Sequence, residues 1–429
     1  MKRRRFVKTV SGAAMAFAMP PYLKASPIEK VRVAVMGLNG RGAVLAKTFA
    51  KTANAEVAAL CDVDSTVLAK AATAIGVKQT IADFRRALDD KSIDALVIAT
   101  PDHWHAPAAI LAMSAGKHVY LEKPCGHNPR EGELLVDAQQ KTKRVVQMGT
   151  QQRSAPRSIE VISGIRDGSL IGKPYLARAW YANTRGTIGR GKTAPVPANL
   201  DYELWQGPAP RTPYHDNVIH YNWHWFKRWG TGEICNNGTH EIDVCRWALG
   251  VDSCVRVTST GGRYHFDDDW EFTDTQEATF EFAGGKTIIW QGQSCNGLET
   301  YGRSRGTSIL GTTGSVVMDR DGYIVYDLQN KVVKSNLASK AGDALNISAD
   351  DDMTNLHIAN FVDAVRTGAP LHQPIESGAK SVLLCHLGNI AQWTGRALKV
   401  DPANGHILGD DAAMAYWQRE YAPGWTPTV

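Results

Sequence analysis

The sequence lacks the features that mark a membrane-spanning or a disulfide-stabilised protein. Its 429 residues contain no apolar run that approaches the roughly 18 residues of a membrane-spanning helix. Its seven cysteines are scattered, and no two have C-x-x-C spacing. An odd, scattered set in a chain of this length indicates buried thiols rather than a disulfide framework or a zinc ribbon.

Excess positive charge is missing from most of the chain. The formal net charge is +5, but residues 1–25 contain six basic residues and no acidic one. The other residues contain 42 basic and 43 acidic side chains, a net charge of −1. A nearly neutral chain does not favour a nucleic-acid partner, so we expect none.

The basic segment has the parts of an export signal. KRRRFVK at 2–8, with the pair Arg3–Arg4, resembles a twin-arginine motif, and a mildly apolar stretch follows at 10–19. We interpret 1–25 as a signal peptide and expect a periplasmic or extracellular protein; a disordered basic tail is the alternative. No cysteine precedes Cys61, so we expect no membrane anchor there.

Short apolar runs alternate with segments of helical length over residues 31–155. The runs lie at 31–36, 56–61, 94–99, 117–121 and 144–148. The helical segments lie at 43–53, 65–76, 105–116 and 129–142. This alternation, with strands apolar on both faces, predicts a Rossmann domain with a doubly wound parallel sheet over 31–155.

The pattern changes after residue 155. Alternating stretches at 277–282, 286–293 and 307–318 predict a large, mostly antiparallel open sheet. Helical periodicity marks 241–249, 351–367 and 376–396. We therefore expect an α/β chain of two domains, in which an α+β substrate-binding domain spans 156–400 and a surface tail spans 401–429.

The motif GLNGRG at 37–42 follows the first predicted strand and precedes a helix. Gly37 and Gly42 take the first and third glycine positions of G-x-G-x-x-G, and Asn39 replaces the middle glycine. Such a turn lets the backbone approach a pyrophosphate at the N terminus of the helix. Asparagine tolerates a left-handed backbone better than most residues, so we expect the turn to form with Asn39.

Asp62 ends the second predicted strand. An acidic residue at that distance from the glycine motif accepts a hydrogen bond from the ribose 2′-hydroxyl of the dinucleotide. It would repel a 2′-phosphate, and no Arg or Lys stands in the next few positions. The sequence therefore favours NAD over NADP as the cofactor.

Two further stretches join GLNGRG in a family resemblance. They are ATPDHWH at 99–105 with YLEKPCG at 120–126, and GEICNNGTHEIDVCRWALG at 232–250. Together they resemble the Gfo/Idh/MocA family of glucose–fructose oxidoreductase and inositol dehydrogenase. The runs NFVDAVRTGAP at 360–370 and QREYAPGW at 418–425 resemble an exported branch of it. The resemblance covers nearly the whole chain after the leader.

The resemblance implies an NAD-dependent oxidoreductase that transfers a hydride from a secondary hydroxyl of a sugar, polyol or glycoside. It also implies a homo-oligomer, a dimer or a tetramer, built on the open sheet. The cofactor-binding residues that it implies are Gly37, Leu38, Asn39, Gly40, Arg41, Gly42, Asp62, Thr100, Pro101, His105, Glu122 and Lys123.

The resemblance implies that Lys123 and His240 are catalytic. Lys123 would contact cofactor and substrate and stabilise the developing alkoxide. His240 would be the general acid/base, and its ordinary pKa of about 6.5 suits proton transfer near neutrality. The implied substrate contacts are Arg153, Tyr221, Trp223, Asn236 and His240.

The sequence departs from the family pattern four residues before His240. The family commonly has Asp there and this chain has Asn236, which cannot take a proton. His240 would then act alone or through water, and Asp243 would either orient it or cap its helix. His220 and His224 have the i, i+4 spacing of a metal site, but no acidic partner is evident, and we expect no metal.

Two other functions stay open. One is a glycoside hydrolase or lyase that uses tightly bound NAD for transient ring oxidation and elimination. The other is a sugar-binding protein without catalytic activity, against which the presence of Lys123 and His240 argues.

Overall fold

The computed structural model describes residues 29–338 and 352–429. The interpreted signal peptide at 1–25 lies outside the described residues. Within those two ranges, no helix has both the length and the apolar character that crossing a membrane requires. All seven cysteines are described; they are free thiols, and all but the partly exposed Cys295 are buried.

The first domain contains a six-stranded sheet that is parallel throughout. Its strands are β1 (Val31–Met36), β2 (Ala55–Cys61), β3 (Gln79–Ile81), β4 (Ala95–Ile98), β5 (His118–Leu121) and β6 (Val146–Met148). Its helices are α1 (Arg41–Lys51), α2 (Ser65–Ile75), α3 (Arg85–Asp89), α4 (Asp102–Ser114) and α5 (Pro129–Thr142). The strand order β3-β2-β1-β4-β5-β6 is the Rossmann order, which confirms the prediction.

The second domain contains a nine-stranded sheet. Its strands are β7 (Pro174–Ala182), β8 (Cys254–Gly262), β9 (Thr275–Phe282), β10 (Thr287–Gln293), β11 (Arg305–Gly311), β12 (Gly314–Met318), β13 (Gly322–Asp327), β14 (Val332–Leu337) and β15 (Leu398–Lys399). They lie in the order β14-β13-β12-β11-β7-β10-β9-β8-β15. Only the β7–β10 pair is parallel among these strands, which confirms a mostly antiparallel sheet.

The helices that follow the first domain differ in length, from four to 20 residues. They are α6 (Pro156–Arg166), α7 (Tyr202–Gln206), α8 (Gly232–Asn236), α9 (Gly238–Leu249), α10 (Asp352–Thr367), α11 (Ile375–Thr394) and α12 (Asp411–Met414). Helix α9 packs on β7, β10 and β11, and its buried apolar residues join the core of the second domain.

The two faces of the parallel sheet are covered by different helices. Leu45 and Phe49 of α1 and Phe361 of α10 pack with β1 on one face. Ile110 of α4 and Leu135 of α5 pack on the other face, together with residues of α11. Burial on both faces explains why the strands read as continuous apolar runs rather than as alternating ones.

Three features differ from the sequence-based expectations. The stretch 307–318 is a hairpin of β11 and β12 rather than one strand, because the chain turns at Thr312 and Thr313. Strand β3 and helix α3 were not predicted, because three and five residues are too few to show a period. Helix α10, expected within 156–400, packs into the core of the first domain instead.

The tail also returns to the first domain. The ring of Trp425 meets that of Trp104 in α4 edge-on, with centroids 5.0 Å apart. Arg419 pairs with the buried Glu131 of α5, with Nη2 and Oε1 2.7 Å apart. The tail therefore packs on α4 and α5 of the Rossmann domain.

Candidate active site

A cavity of about 500 Å³ lies at the carboxyl edge of the parallel sheet, between the two domains. That volume is in the range of cofactor and small-molecule sites, and this edge is where open α/β sheets bind ligands. Most of the predicted site residues line it: Gly37, Leu38, Asn39, Gly40, Arg41, Asp62, Thr100, Pro101, His105, Glu122, Lys123, Tyr221, Trp223, Asn236 and His240.

The glycine-rich turn between β1 and α1 is held by close backbone contacts. At Gly37, with φ 82°, an added Cβ would lie 2.7 Å from the carbonyl oxygen of Ala99. At Gly42 an added Cβ would lie 1.6 Å from the carbonyl oxygen of Gly37, so Gly42 lies behind the turn and does not line the cavity. The residues of the turn with positive φ are Gly37 and Gly40, at 82° and 68°, and Asn39 is not one of them.

The N terminus of α1 fits a pyrophosphate. Gly40 caps the helix without a side-chain hydrogen bond, and the first turn contains no acidic residue. The backbone N–H groups of that turn and the positive end of the helix dipole both favour an anion at this position. The chemistry of this donor set therefore agrees with a dinucleotide in the cleft.

Asp62 stands at the end of β2 beside the same turn. Its carboxylate accepts hydrogen bonds from the backbone N–H of Leu38 at 2.7 Å and of Asp64 at 2.9 Å. Burial raises the pKa of Asp62, and these two hydrogen bonds oppose that rise. The carboxylate is thus fixed at the position where the sequence predicts the ribose.

Glu122 and His105 make hydrogen bonds that fix the loops lining the cavity. Glu122 accepts hydrogen bonds from Arg41 Nε at 2.8 Å and from Gln151 Nε2 at 3.0 Å. Burial alone would raise the pKa of Glu122, but Arg41 reverses the direction and lowers it. The ring of His105 spans the carbonyl oxygens of Pro124, at 2.6 Å, and Thr100, at 2.9 Å.

Lys123 reaches across the cleft to the second domain. Its Nζ donates to the backbone oxygen of Asn236 at 2.6 Å and to Oδ1 of Asn236 at 3.0 Å. Burial lowers the pKa of Lys123, although the carboxylates of Glu122 and Asp102 oppose that shift. Two ammonium protons are therefore engaged by one residue, and the third is available to a ligand.

His240 lies on the second-domain wall of the cavity, at the start of α9. It is 6% exposed, and within the described ranges no residue makes a hydrogen bond with its ring. Burial lowers its pKa well below the ordinary value, and the positive charges of Lys123, Arg320 and Arg305 add to this. The imidazole is therefore neutral at pH 7 and able to accept a proton.

The comparisons with known proteins agree with this arrangement. Residues 31–150 match the family profile described as oxidoreductase family, NAD-binding Rossmann fold. Residues 179–426 match the profile described as oxidoreductase family, C-terminal alpha/beta domain. The chain belongs to the Gfo/Idh/MocA oxidoreductase family. The Rossmann profile is described as NAD-binding, which agrees with the cofactor predicted from Asp62.

Several curated relatives have the names of carbohydrate enzymes. A glycosyl hydrolase family 109 protein of Stenotrophomonas maltophilia is 34% identical over 137 residues, which are 29% of this chain and 30% of that protein. A levoglucosan dehydrogenase of Pseudarthrobacter phenanthrenivorans is 28% identical over 199 residues, 46% of this chain and 44% of that protein. These alignments thus span less than half of the relatives' length.

The fold is shared with solved structures over almost the whole chain. A levoglucosan dehydrogenase in complex with NADH and levoglucosan has a TM-score of 0.67 and 19% identity, and the match covers 86% of this chain and 99% of that one. At this identity the likeness concerns the fold alone.

The structure does not place Arg153, predicted as a substrate contact, among the residues that line the cavity. The Arg153 guanidinium pairs with Asp243, with Nε and Oδ2 2.7 Å apart, and lies over the ring of Trp247. Asp243 also accepts hydrogen bonds from Ser381 and Gln373. It lies in the middle of α9, so it neither orients His240 nor caps the helix.

Sequence reasoning missed cavity residues that come from distant segments. Arg305 begins β11, Arg320 follows β12, and Gln151 follows β6. Arg305 is 1% exposed and pairs with Glu241 of α9. No local motif marks Arg305, because the pairing of β11 with β7 brings it to the cleft.

His220 and His224 are engaged separately rather than as a metal pair. His220 Nε2 lies 3.1 Å from Oδ2 of Asp64, and His224 Nδ1 lies 2.6 Å from the carbonyl oxygen of Tyr221. An i, i+4 metal pair also needs an α-helix, whereas residues 222–225 form a 3₁₀ turn. In the described ranges, no cluster of three or more His, Cys, Asp or Glu is arranged to hold a metal ion.

The long connection between β7 and α8, residues 183–231, closes over the cleft; we name it the cover segment. Asn199 Nδ2 and His220 both contact Oδ2 of Asp64, at 2.8 and 3.1 Å. The backbone of Asp201 donates to Val63 at 3.0 Å. These contacts lie beside Asp62, so the cover segment encloses the end of the cleft where the ribose is predicted.

Proposed function

We propose that the chain is an NAD-dependent oxidoreductase that oxidises a secondary hydroxyl of a sugar, polyol or glycoside. The observation that carries the proposal is the meeting of Lys123 and His240 in one cavity with the glycine-rich turn and Asp62. The relatives named for levoglucosan and for glycosides support a carbohydrate substrate.

The proposed roles follow from charge and protonation. NAD bound along the glycine-rich turn supplies the hydride acceptor. The neutral ring of His240 accepts the hydroxyl proton, and the third N–H of the Lys123 ammonium holds the oxygen while negative charge develops on it. Tyr221 and Trp223 present rings to the same cavity and would pack on the C–H face of the sugar.

The test is turnover of purified protein with a panel of sugars and glycosides, in wild type and in Lys123→Ala. We expect Lys123→Ala to keep NAD affinity and to lose turnover by about 10²-fold or more, since one preorganised donor is worth that much. Near wild-type turnover in Lys123→Ala would remove the lysine from the mechanism.

A redox-neutral glycoside hydrolase or lyase is the second candidate. Two observations favour it: the relatives named glycosyl hydrolase family 109, and the cover segment that encloses the cofactor cleft. An enclosed cofactor that is regenerated in each turnover needs no external partner. Release of aglycone without added NAD and without net NADH would select this candidate over the dehydrogenase.

We also propose export by the twin-arginine route, on the strength of KRRRFVK at 2–8. Replacing Arg3 and Arg4 by Lys should keep the protein in the cytoplasm of a host that has the pathway. A homo-oligomer, dimer or tetramer, built on the open face of the nine-stranded sheet is proposed from the family resemblance, and the mass in solution would test it.

A further inference from the structure

The side chain of Asn236 has its orientation fixed by a carboxylate one helical turn earlier. Glu233 Oε1 accepts from Nδ2 of Asn237 at 2.5 Å and from Nδ2 of Asn236 at 3.4 Å. A carboxylate only accepts hydrogen bonds, so it draws the amide NH₂ of Asn236 toward itself. The amide oxygen is then turned to the other side, where Lys123 Nζ donates to it at 3.0 Å.

Helix α8 explains why these groups meet. Glu233, Asn236 and Asn237 are spaced i, i+3 and i+4, so their side chains lie on one face of the turn. Glu233 is 5% exposed and does not line the cavity. It therefore cannot touch a substrate in the cavity and acts through Asn236.

The other carboxylate oxygen of Glu233 accepts two further hydrogen bonds. Oε2 accepts from Arg185 Nε and from Ser294 Oγ, both at 3.0 Å. Arg185 also donates to the hydroxyl of the cavity residue Tyr221 at 2.8 Å. The Glu233 carboxylate is thus held by four donors, and a neutral amide in its place could not accept from all of them.

In this chain the negative charge of the network lies at position 233, whereas the family pattern has a negative charge at position 236. An Asp at 236 would set a second carboxylate within about 3.4 Å of Glu233 and would remove the amide donor between them. We infer that Glu233 is a positioning residue that orients Lys123 through the amide of Asn236, and that positions 233 and 236 form one unit with a single negative charge. The inference rests on the role of Lys123 in the proposed function.

The experiment is a double-mutant cycle of Glu233→Gln, Asn236→Asp and the double variant. We expect each single change to lower kcat by about 10- to 100-fold, as loss of a hydrogen bond to a charged group does, with NAD affinity kept within about threefold. The double variant restores one carboxylate and one amide, so we expect it to be more active than either single variant. Ser294→Ala, which removes only one donor to Glu233, should lower kcat less.

The matched control is Glu131→Gln, which also alters a buried carboxylate paired with an arginine but lies outside the cavity. We expect it to lower the melting temperature and to leave kcat unchanged. A double variant whose loss equals the product of the two single losses would overturn the inference, and so would Glu233→Gln with wild-type kcat.

A second readout separates this inference from the proposed function. The same cycle is measured by the melting temperature of the NAD-loaded protein, which requires no turnover. We expect Asn236→Asp to lower the melting temperature, because it pairs two carboxylates, and the double variant to recover it. Additive changes in melting temperature would contradict the inference even if no sugar in the panel reacted.

Discussion

At the scale of single residues, burial decides the chemistry of the site. His240 and Lys123 are both shielded from solvent in the cavity walls, and this burial lowers the pKa of each below its ordinary value. The sequence predicted His240 as a group that titrates near neutrality. The structure corrects that expectation, because a buried imidazole near the cations Lys123, Arg320, Arg305 and Arg41 binds its proton more weakly than imidazole in water.

His240→Ala should lower kcat/KM by about 10²–10⁴-fold and leave NAD affinity intact. The base is active when neutral, and its pKa lies well below 6.5. The wild-type kcat/KM should therefore stay level around neutral pH and fall only as the pH drops into the acid range. A wild-type profile with its midpoint at neutral pH, or an acid limb that survives in His240→Ala, would assign the proton acceptor to another group.

Asp62→Ala should weaken NAD binding by about 10- to 100-fold, since a hydrogen bond to a charged group contributes about 1.5–3 kcal/mol. NADP binding should improve at the same time, because the carboxylate no longer repels the 2′-phosphate. Titration of both nucleotides into the variant measures the change. Asp267→Ala, at a side chain that is 96% exposed, is the control; an unchanged ratio of NAD to NADP affinity in Asp62→Ala would exclude the ribose role.

Some residue roles could be predicted from sequence and others could not. Asp62 and Lys123 follow from motifs in which the neighbouring strand fixes the position of the side chain. Arg153 and Asp243 could not, because their ion pair joins segments 90 positions apart. Glu233 was missed for a different reason: its role appears only when the direction of the Asn236 amide is known.

At the scale of elements, the turn between β1 and α1 is expected to contribute most to cofactor binding. The alternation of apolar runs and helical segments was sufficient to predict this part of the fold, and most predicted strands agree with the observed ones to within two residues. The cover segment could not be predicted, because its contacts with Val63 and Asp64 are long-range and its own pattern has no period.

Gly42→Ala should lower both the melting temperature and the affinity for NAD. Its Cβ would meet the backbone oxygen of Gly37 at 1.6 Å, so the helix or the turn must move. Gly76→Ala is a control in the same domain: its φ of 80° costs about 1–2 kcal/mol, but no atom lies within 4 Å of the added Cβ. Gly76→Ala should therefore keep its NAD affinity, and equal losses of affinity in both variants would contradict this account of the turn.

At the scale of the whole molecule, the chain passes from the first domain to the second and returns to the first twice. Helix α10 and the tail both pack on the Rossmann domain. The composition predicted two domains, but it could not show that the chain returns to the first one. The sequence of an amphipathic helix shows which face is buried, but not which surface that face packs against.

Arg419→Ala should lower the free energy of unfolding by about 3–5 kcal/mol, because it leaves Glu131 buried without its charged partner. Arg256→Ala breaks a pair whose side chains are 48% and 41% exposed, and it should cost less than about 1 kcal/mol. Denaturant unfolding of both variants measures the difference. Similar losses in the two variants would show that the tail does not stabilise the first domain.

The most direct test of the central claim follows the absorbance of the reduced nicotinamide in a single turnover. Wild-type protein with bound NAD is mixed with each substrate that the panel identifies, beside Lys123→Ala and His240→Ala. We expect reduced nicotinamide to form in the wild type, as net product or as a transient, and not to form at that rate in either variant. Product formed with no reduced nicotinamide at any time would contradict it.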